Sequence, residues 1–478
     1  RADYISPMTP DEFRAAGHKL IDWLADYRAT VAARPVAATT DPGDVRDQLP
    51  AAPPDRPEPF EAVVRDLDRV IVPGLTHWQH PRFFGYFPSN ASLASVLGDL
   101  LSTGLGVLGL SWQASPALTE LEEVATDWLR QMVGLSGAWR GVIQDTASTC
   151  TLIALLCARE RATGYSLARG GLQAEGRPLV VYASAQAHSS VEKAALLAGF
   201  GRANVRAVDT DAAFALRPDA LEEAVRADVA AGRRPCAVVA TCGTTASTAL
   251  DPVGAIAGVA GKYQLWLHVD AAMAGSAMIL PECRWMWDGV ERADSVVLNP
   301  HKWLGAVFDC STFYVRDPEH LVRVMSTNPS YLQSAADGNA TNYRDWGIAL
   351  GRRFRALKLW CLIRAEGVAG LQTRLRRDLA NAQWLAEQVR ATPGWEVVAP
   401  VPLQTVCVLH RPPGLDGESL DRHTRGWAER VNKSGAAYLT PAVLGGRWVV
   451  RVSVGAEQTE RADVGALWSV MRREAEQP

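Results

Sequence analysis

The sequence predicts an α/β protein whose main sheet is parallel and buried on both faces. Two observations carry this prediction. Short runs rich in Val and Leu are apolar without alternation, as are strands that helices cover on both sides. Stretches of helical character separate these runs, for example 218–231, and the two patterns together are typical of a layered α/β domain. The predicted strands are 179–182, 237–240, 265–269 and 295–298.

The chain begins with a predicted helix that carries its own start signals. Thr9 can cap the helix, Pro10 fits its first turn, and Glu12 completes a capping box. Apolar residues then recur at spacings of three and four, which places them on one face of the helix. That face is formed by Phe13, Gly17, Leu20, Leu24 and Tyr27.

A proline-rich connector, residues 33–59, joins this helix to a second predicted helix over 60–71. Two amphipathic helices on such a connector bury little surface by themselves. We therefore expect them to pack against a partner surface, with a second subunit as one candidate. Residues 1–92 are accordingly predicted to form an N-terminal helical arm that embraces the other half of a dimer.

The sequence pattern changes again after about residue 356. A long helix rich in Leu, Ala and Arg leads into further helical sequence up to residue 390, and strand candidates follow. The mixed order predicts a small α+β domain over 357–478, after a large α/β domain over 93–356. The predicted strands of the small domain are 395–398, 405–408 and 448–453.

The composition argues against several classes of partner. A formal net charge of −3 over 478 residues gives no broad attraction to nucleic acid or to an anionic membrane. No run of about 18 apolar residues predicts a transmembrane helix. The eight cysteines form no close CxxC pair, so no metal site is expected, and the N-terminal residues lack an apolar signal-peptide core. A cytoplasmic protein with reduced, buried thiols fits these features.

Lys302 is the first candidate for chemistry. It follows a predicted buried strand, between His301 and Trp303, in a chain that has six lysines. Apolar surroundings lower the pKa of an amine and favour the neutral nucleophile that a Schiff base requires. A lysine that extends from a strand end towards solvent would have the same local sequence, so the residue alone leaves both interpretations open.

Asp270 ends another predicted strand, at the edge where α/β sheets bind ligands. Beside a pyridine ring its carboxylate would keep the ring nitrogen protonated, because an opposite charge at close range shifts a pKa by about 1 to 3 units. A protonated ring is an effective electron sink. Capping of the following turn is the alternative role, and the two roles are compatible.

Two further features are weaker by themselves. Thr146, Ala147 and Ser148 precede a predicted helix over 149–161, and free N–H groups at a helix N-terminus bind phosphate. Ordinary capping explains the same residues. His188 follows a predicted strand, where an imidazole can stack on a planar cofactor, although a lone histidine is more often structural.

Together these residues resemble the group II pyridoxal-phosphate decarboxylases, and most of all the aromatic-L-amino-acid decarboxylases. The similarity extends from about Met8 to the C-terminal region. Asn299–Trp303, which reads NPHKW, resembles the highly specific cofactor-lysine motif of that family. The supporting segments are His80–Pro88 (HPRFFGYFP), Ser115–Glu122 (SPALTELE) and Ala187–Lys193 (AHSSVEK).

The resemblance implies a type I pyridoxal-phosphate fold, similar to that of aspartate aminotransferase, in a homodimer whose subunits share active sites. It implies that Lys302 holds pyridoxal 5′-phosphate as a Schiff base. His188 would stack on the cofactor ring, and Asp270 would pair with the ring nitrogen. The other implied cofactor-binding residues are Thr146, Ala147, Ser148 and Asn299 at the phosphate, with Thr245, Ala272 and His301 beside them.

Tyr331, in Asn328–Leu332, matches a tyrosine that the family carries on a mobile loop reaching the site of the other subunit. In that role its phenol protonates the substrate Cα after carbon dioxide leaves. Related aldehyde synthases typically carry phenylalanine in its place. The tyrosine therefore favours simple decarboxylation.

The resemblance also implies a substrate pocket with aromatic walls, which can bury an aromatic side chain. Leu110 stands where relatives often carry phenylalanine. Gly351 occupies a position where glycine goes with catechol or indole substrates, whereas serine is typical of histidine and plant tyrosine decarboxylases. The implied substrate-binding residues are Trp78, Tyr86, Phe87, Pro88, Ser89, Leu110, His188 and Gly351.

Asp145 departs from the family pattern, since relatives have glycine or another small residue before the phosphate-binding trio. A carboxylate close to a phosphate repels it. Either the side chain points away from the phosphate or a cation compensates its charge.

The sequence therefore predicts a lyase that converts an aromatic L-amino acid to its amine and carbon dioxide. Tryptophan, 5-hydroxytryptophan, DOPA, tyrosine and phenylalanine are all candidate substrates. A histidine or glutamate decarboxylase is an alternative, against which Trp78, Phe87 and Gly351 argue. An aldehyde synthase and a non-catalytic dimer that binds the cofactor as a scaffold are the others, and the intact catalytic set argues against the scaffold.

Overall fold

The computed structural model describes residues 8–327, 338 and 340–477. Within these ranges the largest sheet has seven strands. Its strands are β1 (Arg140–Gln144), β2 (Leu179–Ser184), β3 (Val205–Val208), β4 (Arg234–Thr241), β5 (Trp266–Asp270), β6 (Ser295–Leu298) and β7 (Ser311–Val315).

The strand order in this sheet is β1-β7-β6-β5-β4-β2-β3. Strands β6, β5, β4, β2 and β3 are parallel neighbours, as predicted. The sheet is mixed, however, because β7 runs antiparallel to both β1 and β6. The α/β fold class is confirmed, and all four predicted strands of this region lie in the sheet.

Both faces of the sheet are covered, which explains why the strand sequences do not alternate. In β2, Val180 and Tyr182 belong to one apolar core, whereas Leu179, Val181 and Ala183 belong to the core on the opposite face. The helices of this region are α4 (Leu93–Leu105), α5 (Pro116–Met132), α6 (Ala147–Thr163), α7 (Ser189–Leu197), α8 (Pro218–Ala230), α9 (Val253–Tyr263) and α10 (Pro318–Met325).

A second, antiparallel sheet follows, with the strands β8 (Trp395–Val397), β9 (Thr405–His410), β10 (Thr440–Leu444) and β11 (Arg447–Ser453). The order of these four strands is β10-β11-β9-β8. The three predicted strands of this sheet are confirmed and a fourth, β10, was not predicted. The long helix in front of it is interrupted at Gly367, whose φ of +64° lies outside the helical region. The helices of this region are α11 (Ala356–Arg390), α12 (Gly417–Lys433) and α13 (Arg461–Ala475).

The N-terminal segment has the predicted helices but buries little of them. The capping box is confirmed, because the Glu12 amide donates to Thr9 Oγ1 at 3.2 Å and the Thr9 amide donates to Glu12 Oε2 at 2.7 Å. The first helix has no buried residue, and Phe13 is 63% exposed. The elements are α1 (Pro10–Thr30), α2 (Asp44–Asp47) and α3 (Phe60–Asp66), with a π-type turn over Leu67–Ile71.

None of the helices in the described ranges combines the length and the apolar content that crossing a bilayer requires. The division of the chain at residues 92 and 356 stays a prediction. The two sheets do lie on opposite sides of residue 356 in the sequence.

Candidate active site

A cavity of about 230 Å³ lies at the carboxyl ends of β4, β5 and β6. Because the carboxyl ends of parallel strands meet at one edge of a sheet, residues far apart in the sequence converge there. All ten residues predicted to bind the cofactor line this cavity. They are Thr146, Ala147, Ser148, His188, Thr245, Asp270, Ala272, Asn299, His301 and Lys302.

An irregular turn after β6 positions Lys302. Pro300–Leu304 forms a π-type turn, inside which Lys302 has φ −92° and ψ −109°. The indole N–H of Trp303 donates to the buried Asp378 of α11 at 2.9 Å, which anchors the turn. The amine of Lys302 lies 5.3 Å from the ring centre of Phe87, so an apolar ring forms part of its surroundings.

The electrostatic surroundings of Lys302 favour its neutral form. Burial lowers the pKa of the amine, the carboxylate of Asp270 opposes this, and the guanidinium of Arg451 adds to the lowering. A neutral amine is the form that attacks a carbonyl carbon. The alternative of a solvated lysine at a strand end is therefore disfavoured, because the amine faces a cavity rather than open solvent.

Asp270 is buried at the end of β5, and its two carboxylate oxygens have different surroundings. Its Oδ1 accepts a hydrogen bond from the Ala272 amide at 3.0 Å, which caps the turn after the strand. Among the described residues Oδ2 accepts no hydrogen bond, and the side chain lines the cavity. A carboxylate oxygen is thus available there to a positively charged ring N–H.

The N-terminus of α6 also lines the cavity. Thr146 caps this 17-residue helix through its hydroxyl, which accepts from the Thr149 amide at 3.5 Å. The first-turn amides and the positive end of the helix dipole suit an anion such as phosphate. The cavity is thus lined by the amine of Lys302, the carboxylate of Asp270 and the anion site at the N-terminus of α6. These three groups fit a pyridine aldehyde that carries a phosphate.

Two histidines that line the cavity are held in defined tautomers. His188 Nδ1 accepts from the Ser190 amide at 3.2 Å, which leaves the proton on Nε2. His301 Nδ1 likewise accepts from the Cys310 amide at 2.9 Å. Burial lowers the pKa of both, and that of His301 falls to about 3, so both rings are neutral near pH 7.

A second cavity of about 810 Å³ adjoins the first and shares with it Phe87, His188, Thr245, His301 and Lys302. Its walls include aromatic rings, and Trp78 stacks on Tyr86 with 5.4 Å between the ring centres. Five predicted substrate-binding residues line it besides His188. These are Trp78, Tyr86, Phe87, Pro88 and Ser89.

Arg451 also lines the larger cavity, and the sequence interpretation missed it. It is only 3% exposed; its Nε donates to the Ala246 carbonyl at 2.9 Å, and Nη2 has no partner among the described residues. Its guanidinium carbon lies 4.9 Å from the ring centre of Phe87. A buried cation without an anion is costly, which indicates an anionic ligand. The available signal was an arginine in the middle of the apolar strand Arg447–Ser453.

Two predicted substrate-binding residues lie elsewhere. Leu110 and Gly351 line neither of the two cavities within one chain. They are close to each other, because the Gly109 amide donates to the Arg352 carbonyl at 2.8 Å. Tyr331, the predicted proton donor, lies outside the described residues.

Three buried histidines make stability sensitive to acid. Burial lowers the pKa of His80 and of His268 to about 4, and that of His301 to about 3. The unfolded chain takes up these protons near pH 6.5, whereas the folded chain does not, so stability is full above pH 6.5 and falls as the pH drops towards 4. Each histidine contributes a slope of about 1.4 kcal/mol per pH unit.

Two buried carboxyls oppose this trend, because burial raises the pKa of Asp251 to about 7 and that of Asp378 to about 6, so that the folded chain takes up these protons before the unfolded chain does. Since three histidines outweigh two carboxyls, we expect the midpoint of thermal unfolding to fall between pH 7 and pH 5, less steeply than the histidines alone would give. The variant His268→Gln should have a shallower slope, and the matched change at the exposed His18 should leave the slope as it is. Equal slopes in all three proteins would contradict this assignment.

Comparison with known proteins places these observations in a family. Residues 42–410 match the sequence model of the pyridoxal-dependent decarboxylase conserved domain. The chain is 42% identical to tryptophan decarboxylase TDC2 of Camptotheca acuminata (98% of this chain, 96% of the relative) and 41% identical to a tyrosine decarboxylase of Papaver somniferum (98% and 95%).

Solved structures of pyridoxal-phosphate enzymes are similar to this chain as well. The Oryza sativa TDC with PLP and tryptamine superimposes with a TM-score of 0.95 at 42% identity, covering 98% of this chain and 99% of that chain. A Rhodiola rosea 4-hydroxyphenylacetaldehyde synthase gives 0.91 at 37% identity, with the same coverage.

The fold and the cavity around Lys302 and Asp270 are those of an enzyme that uses pyridoxal 5′-phosphate. Within that class, the chain belongs to the pyridoxal-dependent decarboxylase family. The predicted cofactor, fold type and family are thereby confirmed.

Proposed function

We propose that this decarboxylase removes the α-carboxylate of an aromatic L-amino acid and releases the aromatic amine and carbon dioxide. The observation that carries the proposal is the aromatic wall of Trp78, Tyr86 and Phe87, in a cavity continuous with the one around Lys302. Burying an aromatic side chain against such walls contributes about 1.5 to 3 kcal/mol. Relatives named for tryptophan and for tyrosine support the same substrate class.

Each cofactor-site residue has a proposed task. Lys302 binds the cofactor covalently, Asp270 holds a proton at its ring nitrogen, and His188 packs its neutral ring against the cofactor. Thr146, Ala147, Ser148 and Asn299 bind the phosphate, beside Thr245, Ala272 and His301. When bound, pyridoxal 5′-phosphate supplies an electron sink for the electron pair that stays on the substrate Cα when carbon dioxide departs.

Arg451 is proposed to bind the substrate α-carboxylate. Its Nη2 lacks a partner among the described residues. Arg451, Phe87 and Lys302 all line the larger cavity, so a substrate bound there can contact all three. A charge-assisted hydrogen bond to a carboxylate would satisfy the guanidinium. The aromatic wall then holds the side chain of the same substrate.

Amine release from a substrate panel tests the proposal. Tryptophan, 5-hydroxytryptophan, DOPA, tyrosine and phenylalanine are compared with histidine and glutamate, with carbon dioxide release as the common readout. We expect at least one aromatic substrate to exceed histidine and glutamate in kcat/KM. Preference for histidine or glutamate would contradict the aromatic class, and absence of carbon dioxide release from every substrate would contradict catalysis.

Aldehyde formation is the second candidate reaction, because the Rhodiola rosea aldehyde synthase shares the fold at 37% identity. Tyr331 distinguishes the two reactions in our proposal, since its phenol would supply a proton to the substrate Cα. In air, with dioxygen as the oxidant, we expect Tyr331→Phe to shift the product from amine to aldehyde by about tenfold or more in ratio, measured by chromatography of both products. The aldehyde should form together with ammonia and hydrogen peroxide. An unchanged product ratio would remove Tyr331 from the protonation step.

We also propose a homodimer, with α4 at the centre of the interface. The buried residues of α4 are Ser95, Gly98 and Ser102, and a Cβ at Gly98 would lie 2.7 Å from Lys358 Cα, so the small face packs inward. The leucines of α4 point outward instead, and Leu105 is 60% exposed. A face of five exposed leucines on one helix indicates that the surface of another protein subunit covers it. The exposed leucines are Leu93, Leu97, Leu100, Leu101 and Leu105.

This interface would also complete the substrate site. The segment that holds Gly351 is joined to α4 by the ion pair between Arg353 and Asp99 at 3.1 Å. Leu110 lies beside that segment. In a dimer built on α4, Leu110 and Gly351 of one subunit could face the cavity of the other, as the shared-site prediction requires. The N-terminal arm would cover the same partner, and the eight free cysteines fit a reducing location such as the cytoplasm.

The double variant Leu97→Glu/Leu101→Glu tests the interface. Four buried charges per dimer replace leucines that each contribute about 1.5 to 3 kcal/mol on burial, so we expect monomers in sedimentation velocity and a loss of activity of about tenfold or more. The control Leu167→Glu changes an exposed leucine outside α4 and should leave the dimer intact. A double variant that sediments like the wild-type protein would exclude α4 from the interface.

A further inference from the structure

We propose that the negative charge of Asp145, which the amide of Thr146 holds at the N-terminus of α6, weakens the hold of this chain on the phosphate end of its cofactor. The inference rests on the proposed phosphate position at Thr146, Ala147 and Ser148. It concerns a residue that lies next to the cavity without lining it.

The carboxylate of Asp145 already uses a donor of the anion site. Its Oδ1 accepts from the Thr146 amide at 2.6 Å and lies 3.5 Å from the Thr146 hydroxyl. The backbone of Asp145 also has a polar neighbour, because the Ser311 hydroxyl lies 3.3 Å from the Asp145 carbonyl and 2.7 Å from Asn299 Oδ1, and these two acceptors share its one proton. These contacts hold the Asp145 carboxylate at the N-terminus of α6.

The charge of Asp145 has no basic side chain in direct contact. In the part of the chain that the structure describes, Asp145 makes no direct ion pair, and Arg355, which interacts with it electrostatically, is itself paired with Asp309 at 2.9 Å. The Thr146 amide and the helix dipole are therefore the groups at the helix end that stabilise the carboxylate. A phosphate needs those same two stabilising elements. The two anions therefore compete for one helix end and repel each other across it.

We therefore expect the cofactor to dissociate more readily than it would from the same cavity without the charge of Asp145. Ala147 and Ser148 keep their first-turn amides for the phosphate, whereas the amide of Thr146 is shared. Like charges separated by several ångströms near a protein surface change affinity by about tenfold. Removing the charge of Asp145 should thus tighten cofactor binding by about that factor.

Two variants separate the charge from the hydrogen bond. Asp145→Asn keeps the shape and an acceptor oxygen but removes the charge, and Asp145→Gly removes both. Asp317→Asn is the matched control, because Asp317 caps α10 by accepting from the His320 amide at 2.9 Å and lines neither cavity. The holoenzymes are stripped of cofactor, and dissociation constants are measured by equilibrium dialysis with pyridoxal 5′-phosphate and with pyridoxal, which lacks the phosphate.

We expect both Asp145 variants to bind pyridoxal 5′-phosphate about tenfold more tightly than the wild-type protein, with unchanged affinity for pyridoxal and no change in Asp317→Asn. Affinity for pyridoxal 5′-phosphate that is equal or weaker in Asp145→Asn would overturn the inference and leave the proposed function standing. Equal tightening for both ligands would overturn it too, because the effect would not act through the phosphate. Failure of the wild-type protein to bind pyridoxal 5′-phosphate would instead refute the proposed function. If Asp145→Gly does not fold, Asp145→Asn decides.

Discussion

Replacing Lys302 by alanine is expected to lower kcat/KM by roughly 10⁴-fold or more, because the variant loses the nucleophile that binds the cofactor covalently. The structure gives this residue the surroundings of a reactive amine. Burial lowers its pKa, and Asp270 and Phe87 line the same cavity. Intact mass after borohydride treatment measures the covalent step directly: the wild-type chain should retain the cofactor mass and Lys302→Ala should not.

The control for this experiment is Lys193→Ala, a change at an exposed lysine of α7. It should keep both activity and covalent attachment. Retention of the cofactor mass by Lys302→Ala would show that another amine carries the cofactor. Loss of attachment with normal activity would separate covalent binding from catalysis.

Local sequence could single out Lys302, Asp270 and His188 because each follows a strand, and Thr146–Ser148 because this segment starts a helix. The other predicted residues of the cofactor cavity came from the family resemblance alone, namely Thr245, Ala272, Asn299 and His301. Asp270 comes at the last position of β5, and Thr146 caps α6. Strand ends of a parallel sheet meet at one edge, so local sequence suffices to bring such residues together. The strands β2, β4, β5 and β6 could also be predicted from local sequence, because each is buried on both faces and therefore has a continuous apolar run.

Elements at the margins of the sheets were harder to predict. The edge strand β3 is only four residues long and includes the partly exposed Arg206 in its short apolar run. The edge strand β10 includes Pro441 and Pro is depleted in strands. As edge strands, β3 pairs with β2 and β10 pairs with β11 across the short turn Gly445–Gly446. Neither strand is buried between two neighbours, so neither has the continuous apolar run on which the strand predictions depended.

Arg451 and the pair Leu110 and Gly351 show the same limit at the site. Arg451 reaches the cavity from β11, about 150 residues after Lys302, because the four-stranded sheet contacts the turn after β4, where Arg451 Nε donates to the Ala246 carbonyl. Leu110 and Gly351 line neither cavity within one chain, and their predicted role depends on a second subunit. Contacts between the regions of the two sheets, and the subunit contacts that we propose, are therefore the part that local sequence patterns do not predict.

Asp270→Asn is expected to lower kcat by about 10- to 1000-fold while leaving the fold intact. An aspartate next to a positive ring nitrogen shifts the pKa of that nitrogen by about 1 to 3 units, and an amide of the same shape lacks the charge that does so. The Ala272 amide could still donate to the Asn oxygen, as it does to Asp270 Oδ1 at 3.0 Å. Steady-state kinetics and a thermal melt of the holoenzyme would separate catalysis from stability.

Asp251 provides the matched control, because it is another buried aspartate beside β4. It accepts from the amides of Leu216 and Thr241, both at 2.7 Å, and burial raises its pKa to about 7. Asp251→Asn disturbs backbone hydrogen bonds but no predicted cofactor contact, so it should lower the melting temperature and spare the kcat of the folded enzyme. A cofactor analogue methylated at the ring nitrogen carries a permanent charge and should restore part of the activity of Asp270→Asn. If the analogue restores none, the carboxylate of Asp270 acts by some means other than holding charge on the ring, and the electron-sink argument for this site fails.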